Sequence, residues 1–400
     1  MKTKYRYIKQ YLLIMVLGII LVSCGTKADY DALIITGQNN HNWEKSHVQI
    51  KTILENSALF HVDVKIIEKG MTDKFVGNFT DYDVVIMDYN GELWSDETRK
   101  SFEDYMKNGG GMVVYHAANN SFPEWKEYNE MIGLGGWGDR DEKSGPYLYW
   151  ENGKVVTNNE AGKGGHHPKA IEFNIDIRNP EHPITKGLPS SWLHTKDELY
   201  SLLRGPAKNI DLLATSYCDT AWESGTGRHE PVLFTISYGK GRVFHTALGH
   251  DDAVECTGFI TTLLRGTEWA ASGTVTQEIP VDFPNRVSTN TWKQLRPLSI
   301  DEIFKFIAKY EIGTSTKYIN LLKLKIRKAN NKNEHLEPYE SKMLELLESP
   351  DATIDSKVQI CRELSFMGSK EKALPVLKRI SQQEELKDAA NFAIERINNI

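Results

Sequence analysis

Asp31-Ala32-Leu33-Ile34-Ile35-Thr36-Gly37 is a short apolar run closed by glycine, the pattern of a strand buried on both faces. The chain then repeats that design. A helical stretch covers about 44–59, and β-like runs recur at 62–67 and 82–88. Segment 96–108 carries Phe102, Tyr105 and Met106 three and four residues apart, which puts them on one helical face. Gly109-Gly110-Gly111 ends that helix, and Met112-Val113-Val114-Tyr115 forms a strand that stops at His116. Alternating strands and helices predict an α/β unit.

The remaining strands of this unit fall at 170–177, 210–217, 232–237 and 242–248, with a closing helix at 254–270. Residues 121–200, rich in Gly, Trp and His, read as long loops decorating the sheet with one strand among them. The α/β domain therefore spans 31–273. A linker with little periodicity covers 274–298. From 299 to 400 six segments show helical periodicity with short breaks and no β-like run: a small all-α domain, built either of stacked HEAT-like pairs or as a plain bundle.

The N-terminus follows other rules. Lys2, Lys4, Arg6 and Lys9 precede an apolar run over 11–22, too short to span a bilayer comfortably. It ends Leu21-Val22-Ser23-Cys24-Gly25, which resembles the lipobox of bacterial lipoproteins. The resemblance implies a signal peptide over 1–23, lipidation of Cys24, a linker over 24–30, and a membrane-anchored protein of the cell envelope, periplasmic or surface-exposed. Cys218, Cys256 and Cys361 read as small buried hydrophobes, with a Cys218–Cys256 disulfide as the alternative. A net charge of −6 over 400 residues, without a basic stripe interleaved with aromatics, argues against nucleic acid as a partner.

Open α/β sheets bind ligands outside the carboxyl ends of their strands. That rule gathers the loop bearing His41 and Trp43, the loop opening at His116, and the loop Gly249-His250-Asp251-Asp252. Loop segments carrying His166 and His167, Asp197 and Glu198, and His229 and Glu230 are candidates to join them. Imidazole beside carboxylate suits general acid/base work or a metal ligand set. His245, inside its run, reads as packing. No HExxH, CxxC or Walker-type motif is present. A Ser or Cys triad is disfavoured, because His116 occupies the sharp turn where a nucleophile would stand.

Several segments together resemble the trehalose-utilisation (ThuA-like) family. They are Leu33-Ile34-Ile35-Thr36-Gly37 with His41 and Trp43, Gly110 to Ala118 around His116, His182-Pro183-Ile184-Thr185-Lys186-Gly187-Leu188-Pro189, Asp197-Glu198-Leu199-Tyr200, and Pro231 to Asp251. The resemblance implies a flavodoxin-like, doubly wound, mostly parallel sheet similar to class I glutamine amidotransferases without their catalytic cysteine. It also implies carbohydrate catabolism through 3-keto sugars supplied by a partner oxidoreductase. Such a sugar loses its C2 proton to a base, and the resulting enolate needs an electrophile. Histidine can supply the first and a divalent metal, Zn or Mn, the second; no nucleotide cofactor is expected. On this reading His250, His116, Glu198 and Asp251 are catalytic. Trp43, Asn119, Trp137 and Asp197 bind substrate, and His41, His116 and His250 are the metal ligands. The rival reading is a non-catalytic carbohydrate-binding lipoprotein whose helical domain docks a partner.

Overall fold

The computed structural model describes residues 29–292, 297–314, 316–331 and 335–399. The expected signal segment and Cys24 lie outside the described residues. Tyr30–Pro297 forms one compact unit, and the chain from Leu298 onward belongs to another.

The first unit is a mixed sheet with a parallel heart. β1 (Tyr30–Thr36), β2 (Phe60–Ile66), β3 (Val84–Met87), β4 (Gly111–Tyr115) and β11 (Gly241–Thr246) lie in the spatial order β2-β1-β3-β4-β11, all parallel. That is the flavodoxin-like order, whose ligand crevice opens where the winding reverses, between β1 and β3. Beyond β11 the sheet continues antiparallel through β10 (His229–Tyr238), β9 (Ile210–Tyr217), β7 (Ile171–Ile177) and β8 (Ser191–Asp197). A hairpin of β5 (Tyr147–Glu151) and β6 (Lys154–Asn158) joins β10 through Trp150 opposite His229.

Parallel strands covered on both faces explain the apolar runs. Ile34 and Ile86 point into the layer formed with α1 (Trp43–Asn56) and α4 (Thr257–Ser272), against Ile53 and Leu263. Their neighbours Ile35 and Met87 point into the opposite layer, against Phe102 and Met106 of α2 (Asp96–Lys107) and Tyr128 of α3 (Lys126–Ile132). Caps set the helix starts: Asn42 accepts from the Lys45 N–H, and Ser95 from the Thr98 N–H. Two glycines open site loops and tolerate no side chain. Gly37 has φ +116°, and a Cβ there would meet the Ile67 nitrogen at 2.5 Å; at Gly249, φ +107°, it would meet the Tyr115 ring at 2.6 Å.

Residues 121–200 hold more than loops and one strand: α3, the β5–β6 hairpin and β8 all fall there. Strand β8 escaped because its inward positions alternate Trp192 with polar His194, so the hydrophobic period is broken. Strand β10 likewise starts earlier than expected, which places His229 and Glu230 in the sheet rather than in a loop. Cys218, Cys256 and Cys361 are buried free thiols, so the disulfide alternative is set aside.

The second unit consists of α5 (Ile300–Ile307), α6 (Lys317–Asn331), α7 (Glu337–Glu348), α8 (Ile354–Met367), α9 (Ala373–Ile380) and α10 (Lys387–Asn399). Met343, Leu347, Ile360, Leu364, Leu377 and Ala390 are buried in it. Ser299 starts α5 with a reciprocal capping box to Glu302. Among the described residues no helix is long and apolar enough to cross a membrane.

Candidate functional site

Four strands of the parallel heart end at the same edge of the sheet, and each delivers one polar group. His41 follows β1, Asp88 follows β3, His116 follows β4 and His250 follows β11. Strand β8 adds Glu198 from the antiparallel wing. The ring centroids of His41 lie 4.8 Å from those of both His116 and His250, and the latter two are 5.7 Å apart. Glu198 sits among them. Its Oε2 is 3.6 Å from His116 Nε2, and its Oε1 is 3.7 Å from the Nε2 atoms of both His250 and His167.

His116 is held with care. Its backbone has φ +44°, a left-handed conformation that is costly for a residue with a side chain and persists where the surroundings impose it. Nδ1 donates to the Ala247 carbonyl at 2.9 Å, which turns Nε2 toward Glu198. Tyr200 stacks on the other face at 4.3 Å. His41 is oriented by a relay of amides: Asn90 donates to Asn40 Oδ1 at 2.8 Å, and Asn40 Nδ2 donates to His41 Nε2 at 3.1 Å. The Tyr200 hydroxyl approaches the same Nε2 at 3.2 Å.

Electrostatics separate these groups. Burial, then the neighbouring His116 and His250, bring His41 down to about 4, so it is neutral at physiological pH. Burial alone would raise the Glu198 carboxyl. The nearness of His116, with the charges of His167 and His250, outweighs burial and holds it at about 2. Glu198 is therefore a permanent carboxylate, a ligand or counter-charge rather than a proton donor.

Asp197 does not face the crevice. It is fully buried, and its two oxygens accept from His194 Nε2 at 2.8 Å, Gly249 N at 2.7 Å, His250 N at 3.0 Å and Glu198 N at 2.8 Å. With its lone pairs taken it has nothing left for a substrate, contrary to the sequence expectation; it stitches the end of β8 to the His250 loop. Behind it, burial opposes charge on His194, but the Cys256 sulfur and Asp197 raise that imidazole to about 10. Asn119 is also enclosed, its Nδ2 3.2 Å from His245 Nε2, so it too lies away from the crevice. Trp43 begins α1 and stacks on His47 at 6.0 Å rather than lining the cleft. Asp251 stands at the rim, 58 % exposed, with its Oδ2 3.4 Å from His250 Nε2. His245 is buried packing on Phe234, as its place inside the strand suggested.

An open cleft leads from the histidines, lined by Asn40, Asn90, Trp137, His167, Glu198 and Tyr200. Trp137 meets Tyr200 edge-on at 4.7 Å. Its loop is fixed by Arg140, a buried guanidinium that donates to the Gly136 carbonyl at 2.8 Å and to those of Asn120 and Ser121 at 3.0 and 2.8 Å. The sequence offered the His166–His167 loop as a candidate for the site, and assigned no role to Tyr200 or Asp88. Asp88 was findable: it is the last residue of the run 82–88, at the carboxyl edge where ligands bind.

Asp88 accepts from Ser46 at 2.7 Å, Thr36 at 3.2 Å and, through Nδ2, Asn39 at 3.2 Å, while Asn39 Oδ1 accepts the His41 N–H. Burial lifts its carboxyl to about 7, against the partial offset of those hydrogen bonds and His116. The folded state thus keeps a proton that the unfolded chain releases near 3.8, so stability declines as pH rises from there to about 7. Asp88→Asn is expected to abolish that decline: urea unfolding at pH 4 and pH 8 should shift the variant relative to wild type by up to about 4 kcal/mol in the variant's favour. A pH-independent gap between the two would contradict the assignment.

Residues 31–270 match the family model described as ThuA, trehalose utilisation. Among solved structures, a ThuA-like protein from Parabacteroides merdae is 49 % identical, with a TM-score of 0.65 over 67 % of this chain and 99 % of that one. Another ThuA-like protein, from Bacteroides uniformis, is 21 % identical, with a TM-score of 0.43 over 63 % of this chain and 94 % of that one. No curated protein matches. The family match covers more than half of the sequence, the first of these structures is close in sequence over almost its whole length, and the chain belongs to the ThuA family.

Proposed function

We propose that this protein is a lipid-anchored enzyme of carbohydrate catabolism that acts on 3-keto glycosides by removing the proton beside the carbonyl. The observation that carries the reading is the convergence of His41, His116, His167 and His250 on one permanently charged carboxylate, Glu198, at the head of a cleft walled by Trp137 and Tyr200. An aromatic wall with neutral amides suits a sugar ring, which offers apolar faces and hydroxyl edges.

His167 has a more open imidazole than His116 or His250, 35 % exposed at its side chain against 2 % and 22 %, and is the base in this reading. It takes the C2 proton of the sugar. The electron pair left behind becomes the C2–C3 enolate, which collapses to expel the C1 substituent, and the leaving oxygen recovers the proton. Water then adds across the C1–C2 double bond, and the sum is hydrolysis of the glycosidic bond. Reprotonation of the enolate instead gives isomerisation. An oxidoreductase must supply the keto group upstream. The lipobox-like Cys24 supports anchoring in the cell envelope.

Incubation of the purified chain with a 3-keto-glucoside in heavy water tests the reaction. Exchange at C2, with aglycone release or an isomer, is expected from the keto sugar and not from its 3-hydroxy parent. His167→Ala should slow the exchange by roughly 10²–10³-fold. Unchanged substrate across pH 6–9 (about neutrality, where histidine bases work) with tight glycan binding would favour the non-catalytic reading. Fatty-acid labelling lost in Cys24→Ser checks the anchor.

A further inference from the structure

We propose that His116, His250, Glu198 and His41 form a binding site for one divalent first-row transition metal. Two atoms at the centre of the cluster point to it. His116 Nε2 and Glu198 Oε2 are buried, and neither has a hydrogen-bond partner among the described residues. They stand 3.6 Å apart. That is too long for a good N–H···O bond and close to the separation of roughly 3–3.5 Å that two ligands adopt on one ion with bonds near 2.1 Å. Buried polar atoms in folded proteins are ordinarily satisfied, so a pair left facing each other across this gap requires an occupant.

The other ligands fit the same centre. One ligand atom each from His41, Glu198 and His250 can be chosen so that all lie within 4.8 Å of one another. His116 and His41 both turn Nε2 toward the cluster. In His116 the Nδ1–H is committed to the Ala247 carbonyl, the outer support that metal-bound imidazoles usually have. In His41 the acceptor role of Nε2 follows from the Asn90–Asn40 amide relay. That nitrogen already receives Asn40 at 3.1 Å and approaches the Tyr200 hydroxyl at 3.2 Å, so His41 joins the ion by giving up those contacts. Glu198 belongs to both observations, facing His116 across 3.6 Å and grouping with His41 and His250, so it is the centre of the site. Asp197 holds the backbone of both Glu198 and His250, which fixes two ligands from one buried carboxylate.

The donor set selects the class of ion. Three imidazoles and one carboxylate suit Zn²⁺ or Mn²⁺ and their first-row neighbours, whereas Mg²⁺ and Ca²⁺ prefer oxygen throughout. Such an ion would provide the electrophile that an enolate-forming reaction needs. The inference uses the same residues as the proposed reaction, but its test does not depend on turnover.

The full chain, stripped with a chelator and dialysed, is titrated calorimetrically with Zn²⁺, Mn²⁺ and Mg²⁺ in separate runs, and with Co²⁺ while its visible absorption is recorded. The expected result is one equivalent of Zn²⁺ or Mn²⁺ per chain, no saturable Mg²⁺ binding, and d–d bands from bound Co²⁺. His116→Ala and the near-isosteric Glu198→Gln should each weaken binding by about 100-fold or more, while His61→Ala, outside the cluster, leaves it unchanged. Circular dichroism and urea unfolding confirm that the variants are folded. Absence of binding by the wild type, Mg²⁺ binding as tight as Zn²⁺, or undiminished binding in both folded variants would overturn the proposal. Metal binding without consumption of the 3-keto-glucoside would keep the site and sink the proposed reaction; turnover by a wild type that binds no metal would do the reverse.

Discussion

Asp197→Ala is expected to lower the stability of the α/β unit by roughly 3–5 kcal/mol, the usual loss when one partner of a buried charge pair is removed. Asp197 is fully buried and is the hydrogen-bonding partner of His194 Nε2, at 2.8 Å. Cys256 and Asp197 hold His194 up near about 10, so at neutral pH it is an imidazolium with no route to water. Without the carboxylate the buried imidazolium keeps only the Cys256 sulfur as a counter-group, and its Nε2–H loses its acceptor. The N–H groups of Glu198, Gly249 and His250 lose their acceptor at the same time. Each such orphan is itself costly, about 1–3 kcal/mol when buried. Equilibrium urea unfolding at pH 7 measures the sum. A loss below about 1 kcal/mol would mean that His194 sheds its proton and water reaches the vacated site, and the picture of Asp197 as the stitch between β8 and the His250 loop would fail. Asp197→Asn should recover part of the loss, since its remaining carbonyl oxygen can accept two of the donors.

The parallel heart of this sheet was legible because two-sided burial writes itself as uninterrupted apolar runs. Leu33 to Ile35, Val84 to Met87 and Met112 to Val114 are fully or almost fully enclosed, and each run ends at the edge where the chemistry gathers. His41, His116 and His250 could therefore be placed together from strand ends alone. The antiparallel wing was harder to read. His194 and Glu230 occupy inward positions, and each bonds a side chain three or four residues away, Asp197 and Thr226, a pairing that hydrophobic periodicity does not reveal. A buried polar residue looks like a loop residue until its partner is known. The same ambiguity made Asp197 and Asn119 look like substrate ligands. His167 and Trp137 come from the stretch between α3 and β7, whose loops Arg140 and Arg204 tie together by guanidinium-to-carbonyl bonds. That scaffold leaves no periodicity to detect.

Glu198→Gln should separate chemistry from folding at the neighbouring position. Asp197 and Glu198 are adjacent where β8 ends, and successive side chains there leave on opposite sides. One carboxylate goes into the interior against His194, and the other goes into the crevice among four imidazoles. The amide keeps the size of Glu198 and its capacity to accept, but removes the negative charge. Its Oε2 has no hydrogen-bond partner to lose, and its backbone N–H remains bonded to Asp197. Stability at neutral pH should fall by up to about 3 kcal/mol, the worth of holding that carboxyl at about 2 rather than 4.5. The acid limb should differ as well. Held near about 2, the Glu198 carboxyl contributes stability above its ordinary value of 4.5 that disappears as pH falls between the two, and the glutamine variant lacks that loss. Turnover of a 3-keto-glucoside should drop by roughly 10²–10³-fold, because the charge that organises the imidazoles and any bound cation is gone. Steady-state kinetics and urea unfolding on the same preparation decide the matter: full activity in a folded Glu198→Gln protein would remove Glu198 from the reaction, and a stability loss that persists undiminished at acid pH would show that Glu198 too belongs to the scaffold.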